Sequence, residues 1–176
     1  MKQPVLTGEH VILRPLIPGD QPRLREILAQ PEVARWWNPG GPDQAVADWL
    51  DQPPETVFVI ETEGAVIGSI EYSEENTPDY QHAGIDIFLD SGHHGRGFGS
   101  DALRTMAGYL FDTRGHHRLT IDPATTNERA IRAYQRAGFR PVGIMRDYER
   151  GADGSWHDCL LLDILEDELS RPEVAG

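Results

Sequence analysis

The sequence predicts an α/β fold: a mixed central β-sheet with a parallel pair of strands at its centre and helices on both faces. Three observations point to it. Residues 83–111 read as a strand, a loop rich in glycine and histidine, and a helix. Residues 118–122 read as a second strand, and a strand–helix–strand passage forces its two strands to run parallel. The runs on either side pair off as hairpins, so the margins of the sheet are antiparallel.

In chain order, residues 11–16 form a first strand closed by Pro18 and Gly19. Asp20 is placed to cap a helix running to about Ala29, which Pro31 ends or kinks. Trp36 and Trp37 stand beside residues 38–42, a Pro/Gly loop that cannot continue a helix. Adjacent indoles cannot share one helical face, so one is expected in the core and the other along a pocket. Asp43 can cap a short helix to about Leu50, broken at Pro53 and Pro54. Residues 56–62 and 65–72 form a hairpin about Glu63 and Gly64, and residues 73–81 form a polar loop with its acidic groups in solvent.

In the strand at 83–89, Ile85, Ile87 and Leu89 share one face, and Gly84, Asp86 and Phe88 the other. Leu103, Met106, Ala107 and Leu110 recur at helical spacing after it. Asn127 opens a further helix with a stripe of Ala130, Ile131, Tyr134 and Ala137, ended by Gly138. Residues 140–147 and 155–165 are two last strands, joined across 151–154.

With 176 residues the chain is read as one domain with a real core and a short polar tail after Leu169. A net charge of −13 makes nucleic acid and anionic membranes poor partners and draws in cationic small molecules. The single cysteine, Cys159, is expected as a buried thiol. No stretch resembles a signal peptide or spans a bilayer, which predicts a cytoplasmic protein. The seven histidines include two adjacent pairs in loops, with no HExxH or paired CxxC, so no metal is expected. No G-x-S-x-G elbow appears either, which favours direct attack over an acyl-enzyme.

Chemistry is expected around the glycine loop. Gly95, Gly97 and Gly99 let successive N–H groups converge just as a helix begins, which is how a protein holds a phosphate. Arg96 adds a fixed cation there. A P-loop is excluded because no Gly-Lys-Ser/Thr follows. The dinucleotide fingerprint is partly met by Gly97, Gly99 and Ala102, with Asp122 further on. Residues 90–96, however, intervene where that fold needs a tight turn. A loop whose glycines only turn the chain stays open at this point.

Two signatures in order bear on that choice. His94-Gly95-Arg96-Gly97-Phe98-Gly99 resembles Arg/Gln-x-x-Gly-x-Gly/Ala, the pyrophosphate motif of the GCN5-related N-acetyltransferases, the GNAT superfamily, which use acetyl-coenzyme A. His94 departs from that motif; it weakens a first-position contact and leaves the backbone donors unaffected. Asn127, Ala130, Tyr134, Gly138 and Phe139 match a second signature, Asn-x-x-Ala-x-x-x-Tyr-x-x-x-Gly-Phe. The resemblance spans residues 11–165 and is densest over 83–139. It implies the GNAT fold and an N-acetyltransferase domain, and the chain is read as that single domain over 1–176, with the polar residues 170–176 as a flexible tail.

Residues 8–16, 143–147 and 156–158 resemble enzymes that acetylate N-terminal residues of ribosomal proteins. Trp36, Trp37, residues 84–89 and residues 120–123 are similar to aminoglycoside 6′-N-acetyltransferases, the preferred likeness. In those enzymes the aspartates matching Asp86 and Asp122 contact the amine-bearing substrate.

The resemblance also implies roles. Backbone groups of Ile87, Phe88 and Leu89 hold the acetyl and pantetheine portion, and His94, Gly95, Arg96, Gly97, Phe98, Gly99 and Ser100 take the pyrophosphate. Asn127 holds the amide arm and Tyr134 protonates the departing sulfur. On their own, Asn127 is an adequate helix cap and Tyr134 an ordinary core aromatic. Acetyl transfer to an amine needs a neutral nitrogen, a polarised thioester and a proton for the thiolate. Asp86 and Asp122 sit on neighbouring strands, where two carboxylates can bind a polycation and relay its proton. Asp86 is read as the proton acceptor, although an ordinary aspartate with a pKa of about 3.9 is a weak base toward an amine. Its plainer reading is a polar residue on a half-exposed strand.

The expected activity is transfer from acetyl-coenzyme A to a primary amine of a cationic small molecule, an aminoglycoside above all. Trp36 and Trp37 would serve the sugar faces. The alternatives are acetylation of a protein N-terminus or another metabolite amine, and a non-catalytic acetyl-coenzyme A sensor. Either a monomer or a homodimer is compatible with the sequence.

Overall fold

Residues 57–60 are all buried because the strand they form is covered on both faces. The computed structural model describes residues 3–37 and 40–171. Asn38 and Pro39 of the expected loop, and residues 172–176 of the expected tail, lie outside the described residues. The strands are β1 (Leu6–Thr7), β2 (Ile12–Pro15), β3 (Val57–Thr62), β4 (Ala65–Glu75), β5 (His82–Leu89), β6 (Arg118–Ile121), β7 (Arg140–Arg150) and β8 (Trp156–Leu165). The helices are α1 (Gln21–Leu28), α2 (Pro31–Ala34), α3 (Gly41–Asp51), α4 (Phe98–Asp112) and α5 (Glu128–Arg136). All eight strands form one sheet in the order β1-β2-β3-β4-β5-β6-β8-β7. Its parallel pair is β5 with β6.

Strand alternation sorts the core into two layers. Phe58 and Ile60 pack with Leu103, Met106 and Leu110 of α4. Val57 and Val59 turn the other way, onto Leu24 and Ile27 of α1 and Val46 and Trp49 of α3. In β5, Ile85 and Ile87 join the α4 layer, while Phe88 stacks on Trp49 at 5.5 Å between ring centroids. Asp86, two residues before Phe88, therefore shares the α1–α3 face, as the alternation predicts. Among the described residues no helix is long and apolar enough to cross a membrane.

Several local expectations need correction. Asp20 precedes α1 but makes no capping bond. Its carboxylate instead takes both arms of the Arg14 guanidinium, each at 2.9 Å, and the Ile17 N–H at 3.0 Å. Asp43 lies inside the first turn of α3, paired with Arg25. Pro31 opens the short α2, at the first position where its missing N–H costs nothing. β4 runs through Glu75, and Glu74 is bound by Arg114 and by the buried His116 rather than by solvent. The turn at Glu63 (φ 49°) and Gly64 (φ 78°) has both residues left-handed, the geometry that matches strand twist in a two-residue hairpin.

Asp101 anchors the N-terminal segment on α4. Its buried carboxylate accepts the N–H groups of Glu9, His10 and Val11 at 3.0, 2.7 and 3.0 Å. Asp101→Ala strands the Val11 N–H in the interior, worth about 1–3 kcal/mol, and removes the shared acceptor of the more exposed Glu9 and His10. We expect a loss of about 3 kcal/mol by urea denaturation; a midpoint equal to wild type would refute the anchor.

Candidate active site

β5 and β6 pair at Ala83↔Leu119 and Gly84↔Thr120 and then part. The Asp90 N–H donates to Ile67 O at 2.7 Å. By strand alternation the main-chain groups of Asp86 and Phe88 therefore face β4, and those of Ile87 and Leu89 face the gap. A cleft of about 1290 Å³ opens there. Every site residue expected from the sequence borders it except Phe98. The Phe98 ring instead packs on the core and under the Arg96 guanidinium, 5.0 Å from its centroid. What Phe98 can offer a ligand is its N–H in the first turn of α4.

The phosphate end is built from the glycine loop. Gly95 (φ 71°) and Gly97 (φ 84°) are left-handed, a conformation that suits glycine, and Gly97 is the N-cap of α4. The first N–H of α4 bound to the protein is that of Asp101, to Gly97 O at 3.0 Å. The N–H groups of residues 95–100 have no acceptor among the described residues and point an uncompensated partial positive charge at the cleft. The loop is tied down at Asp90, which takes Gln30 Nε2 at 2.6 Å, His93 Nδ1 at 2.8 Å and Arg23 at 3.2 Å.

His94 donates from Nε2 to Leu89 O at 2.9 Å, and its Nδ1 accepts a hydrogen bond from Arg129. Asn127 caps α5 through Ala130 N–H at 3.4 Å and also borders the cleft. Trp36 and Trp37 follow α2 instead of sharing a helix, and both border the cleft. Arg35 covers the Trp36 ring at 4.5 Å, and Trp37 meets Phe88 edge-on at 5.0 Å.

The far end is acidic. Asp86 stands directly opposite Glu71 of β4. Water reaches Asp86 at the cleft floor, yet protein closes round it, and its pKa is pushed up to about 7. Burial is the main cause, followed by the charges of Glu71, Asp122 and Glu149. Burial also raises Glu71, against hydrogen bonds from Trp49 and Gln52. Asp122, just past the end of β6, is raised by burial first, while the Tyr148 hydroxyl pulls it back. The Tyr134 phenol is half-buried and held above its ordinary range by burial, then by Asp86 and Asp122.

Cys159 is fully buried, and its S–H donates to Glu149 at 3.3 Å. Burial, with Glu149, pushes the thiol up to about 12, which leaves it no nucleophile at neutral pH. Among the described residues no group of three His, Cys, Asp or Glu side chains has a metal-holding arrangement.

Glu71, Glu149, Tyr148 and Arg129 also border the cleft, and motif reading does not single them out. Glu71 is signalled only as a charged residue in an apolar strand between Ile70 and Tyr72. Its partnership with Asp86 depends on register, which the sequence does not display.

A cleft between parting parallel strands, with free amide donors at one end and carboxylates at the other, suits transfer of a group from an anionic carrier to a cation. Residues 10–140 match the family model described as an acetyltransferase (GNAT) domain. The chain belongs to that family and is an acetyl-coenzyme A-dependent N-acetyltransferase. It is 27% identical to a probable N-acetyltransferase of Bacillus subtilis, YjcK, over 92% of this chain and 97% of that one. It is also 27% identical to the aminoglycoside N(6′)-acetyltransferase type 1 of Klebsiella pneumoniae, over 79% of this chain and 78% of that one. Its fold is similar to that of Mycobacterium smegmatis RimJ in complex with CoA-disulfide: TM-score 0.83, 22% identity, 97% of this chain and 93% of that one.

Proposed function

We propose that this enzyme acetylates a primary amine of a cationic small molecule, and that an aminoglycoside 6′-amine is the acceptor its site supports best. The observation behind this is the group of carboxylates, Glu71, Asp86, Asp122 and Glu149, at the cleft floor beside the β5–β6 gap. Burial, joined at Asp86 by the neighbouring charges, makes Glu71, Asp86 and Asp122 costly to ionise, and a polycation relieves that cost through charge-assisted hydrogen bonds. Trp37 and the Trp36 face that Arg35 leaves open border the same cleft and can offer aromatic surface to sugar rings. The relative named for aminoglycoside N(6′)-acetylation supports the same acceptor. Residues 1–176 are read as one such domain, working in the cytoplasm.

The residues fit acetyl-coenzyme A as co-substrate, because the N–H groups of residues 95–100 lack internal acceptors and those of Ile87 and Leu89 face the gap. Bound there, it supplies the acetyl thioester. The 95–100 amides would hold the diphosphate, Asn127 the amide arm, and the main chain of residues 87–89 the acetyl end, where an N–H polarises the carbonyl. Asp86 accepts the proton that the ammonium loses, directly or through water. With a pKa near 7 it is a far better matched base than an ordinary aspartate. Tyr134 returns a proton to the sulfur. Attack is direct, with no acyl-enzyme.

Purified protein, acetyl-coenzyme A and kanamycin- or tobramycin-type compounds test the acceptor. Mass spectrometry should show a gain of one acetyl group, placed at the 6′-amine by fragmentation. If the antibiotics keep their mass while basic peptides with free N-termini release thiol, the acceptor is a protein N-terminus.

A further inference from the structure

We infer that His94 and Arg129 form a diphosphate clamp, in which the imidazole holds the guanidinium over the 95–100 loop. This rests on the coenzyme reading above. Arg129, in the first turn of α5, is exposed and borders the cleft. It has no carboxylate partner among the described residues, although acidic side chains outnumber basic ones 29 to 16. Its hydrogen-bonding partner is His94 Nδ1.

An arginine can only donate, so Nδ1 accepts and the ring proton sits on Nε2, where Leu89 O receives it at 2.9 Å. The imidazole is thereby neutral and fixed at both ends. Burial first, with Arg129 beside it, keeps His94 below the ordinary imidazole range despite the opposing bond to Leu89. His94 itself therefore presents neither a free donor nor a charge to a ligand. What it presents is Arg129, which lines the same cleft as the 95–100 amides that lack acceptors among the described residues. A planar fork next to converging backbone donors fits two linked phosphate groups. The departure at the first position of the glycine motif is thus made good by a side chain from the next helix. His94 is a positioning residue and Arg129 the binding one.

Calorimetric titration of the full chain with coenzyme A, dephospho-coenzyme A and pantetheine tests this. Arg129→Gln should weaken both phosphorylated ligands equally, by about tenfold to a hundredfold, and leave pantetheine unchanged. His94→Ala should give a similar loss in wild type and no further loss in the Arg129→Gln background, because it acts through Arg129. His94→Gln, which keeps one donor and one acceptor, should restore most of the affinity. Two-bond ¹H–¹⁵N spectra should show the Nε2–H tautomer in wild type and a shifted Nδ1 resonance in Arg129→Gln. Equal coenzyme affinity in Arg129→Gln overturns the clamp and leaves the coenzyme reading standing. A loss that vanishes with dephospho-coenzyme A puts the contact on the 3′-phosphate and also overturns it. Wild type that binds no coenzyme A sinks the coenzyme reading, and the clamp with it.

Discussion

Replacing Asp86 with asparagine is expected to lower kcat/KM for the amine acceptor by about two to four orders of magnitude, the usual span for a general base. Affinity for coenzyme A should stay within about twofold, since the main-chain donors and Arg129 are untouched. The pH profile carries the sharper test. The carboxyl of Asp86 is pushed up to about 7, so its base form gains population as pH rises through that value. Wild-type kcat/KM should climb across the same interval. The asparagine variant should lose that limb and keep any limb set by the acceptor's own ammonium.

Stability moves the opposite way. A carboxyl whose folded pKa lies above its unfolded value favours the fold at low pH and ceases to do so as pH rises through about 7. Asp86→Asn should therefore melt at a higher temperature than wild type above pH 7, with the gap closing toward pH 4. Turnover lost with stability gained marks a group kept for chemistry at a cost to the fold. Unchanged kcat/KM, or a lower melting temperature at pH 8, would remove Asp86 from the role of base.

The same residue shows what the sequence makes legible and what it does not. Alternation alone puts Asp86 on the face of Phe88, away from Ile85 and Ile87, and the structure agrees because helices cover both sides of β5. The glycine loop, α4 and α5 are legible for a related reason: left-handed glycines, an asparagine cap and helical spacing are local signals. Glu71 and Glu149 are not legible. They reach Asp86 through strand register and through β7, a margin strand distant in sequence, and no spacing encodes that. Asp20 is a different failure. Its position is right for a cap, but Arg14 on the preceding strand β2 offers a bidentate ion pair, and that contact outcompetes the cap. Glu74 repeats the pattern, drawn from an expected solvated loop into a bond with His116. Electrostatic surroundings are the least legible of all, since raising Asp86 to about 7 takes burial first and then charges from three other stretches of chain converging in space.

Tyr134→Phe is expected to lower kcat by about a hundredfold in a thiol-release assay, with coenzyme A affinity unchanged. The phenol is raised by burial and then by Asp86 and Asp122, so at rest it keeps its proton. A group held so high would be a poor acid if its surroundings were fixed. They are not, because Asp86 is one of the charges that raise it, and Asp86 becomes neutral on accepting the acceptor's proton. Protonation at one end of the reaction thus lowers the barrier to donation at the other, at the moment the sulfur needs it. Two consequences separate this from a structural role. The Asp86 limb of the pH profile should persist in Tyr134→Phe, since the base is intact. The deficit should also shrink with an acetyl donor whose thiol is more acidic than that of coenzyme A, because such a sulfur leaves with less help. A deficit that is the same for both donors would take the proton-donor role away from Tyr134, and a variant as active as wild type would leave it an aromatic wall of the cleft.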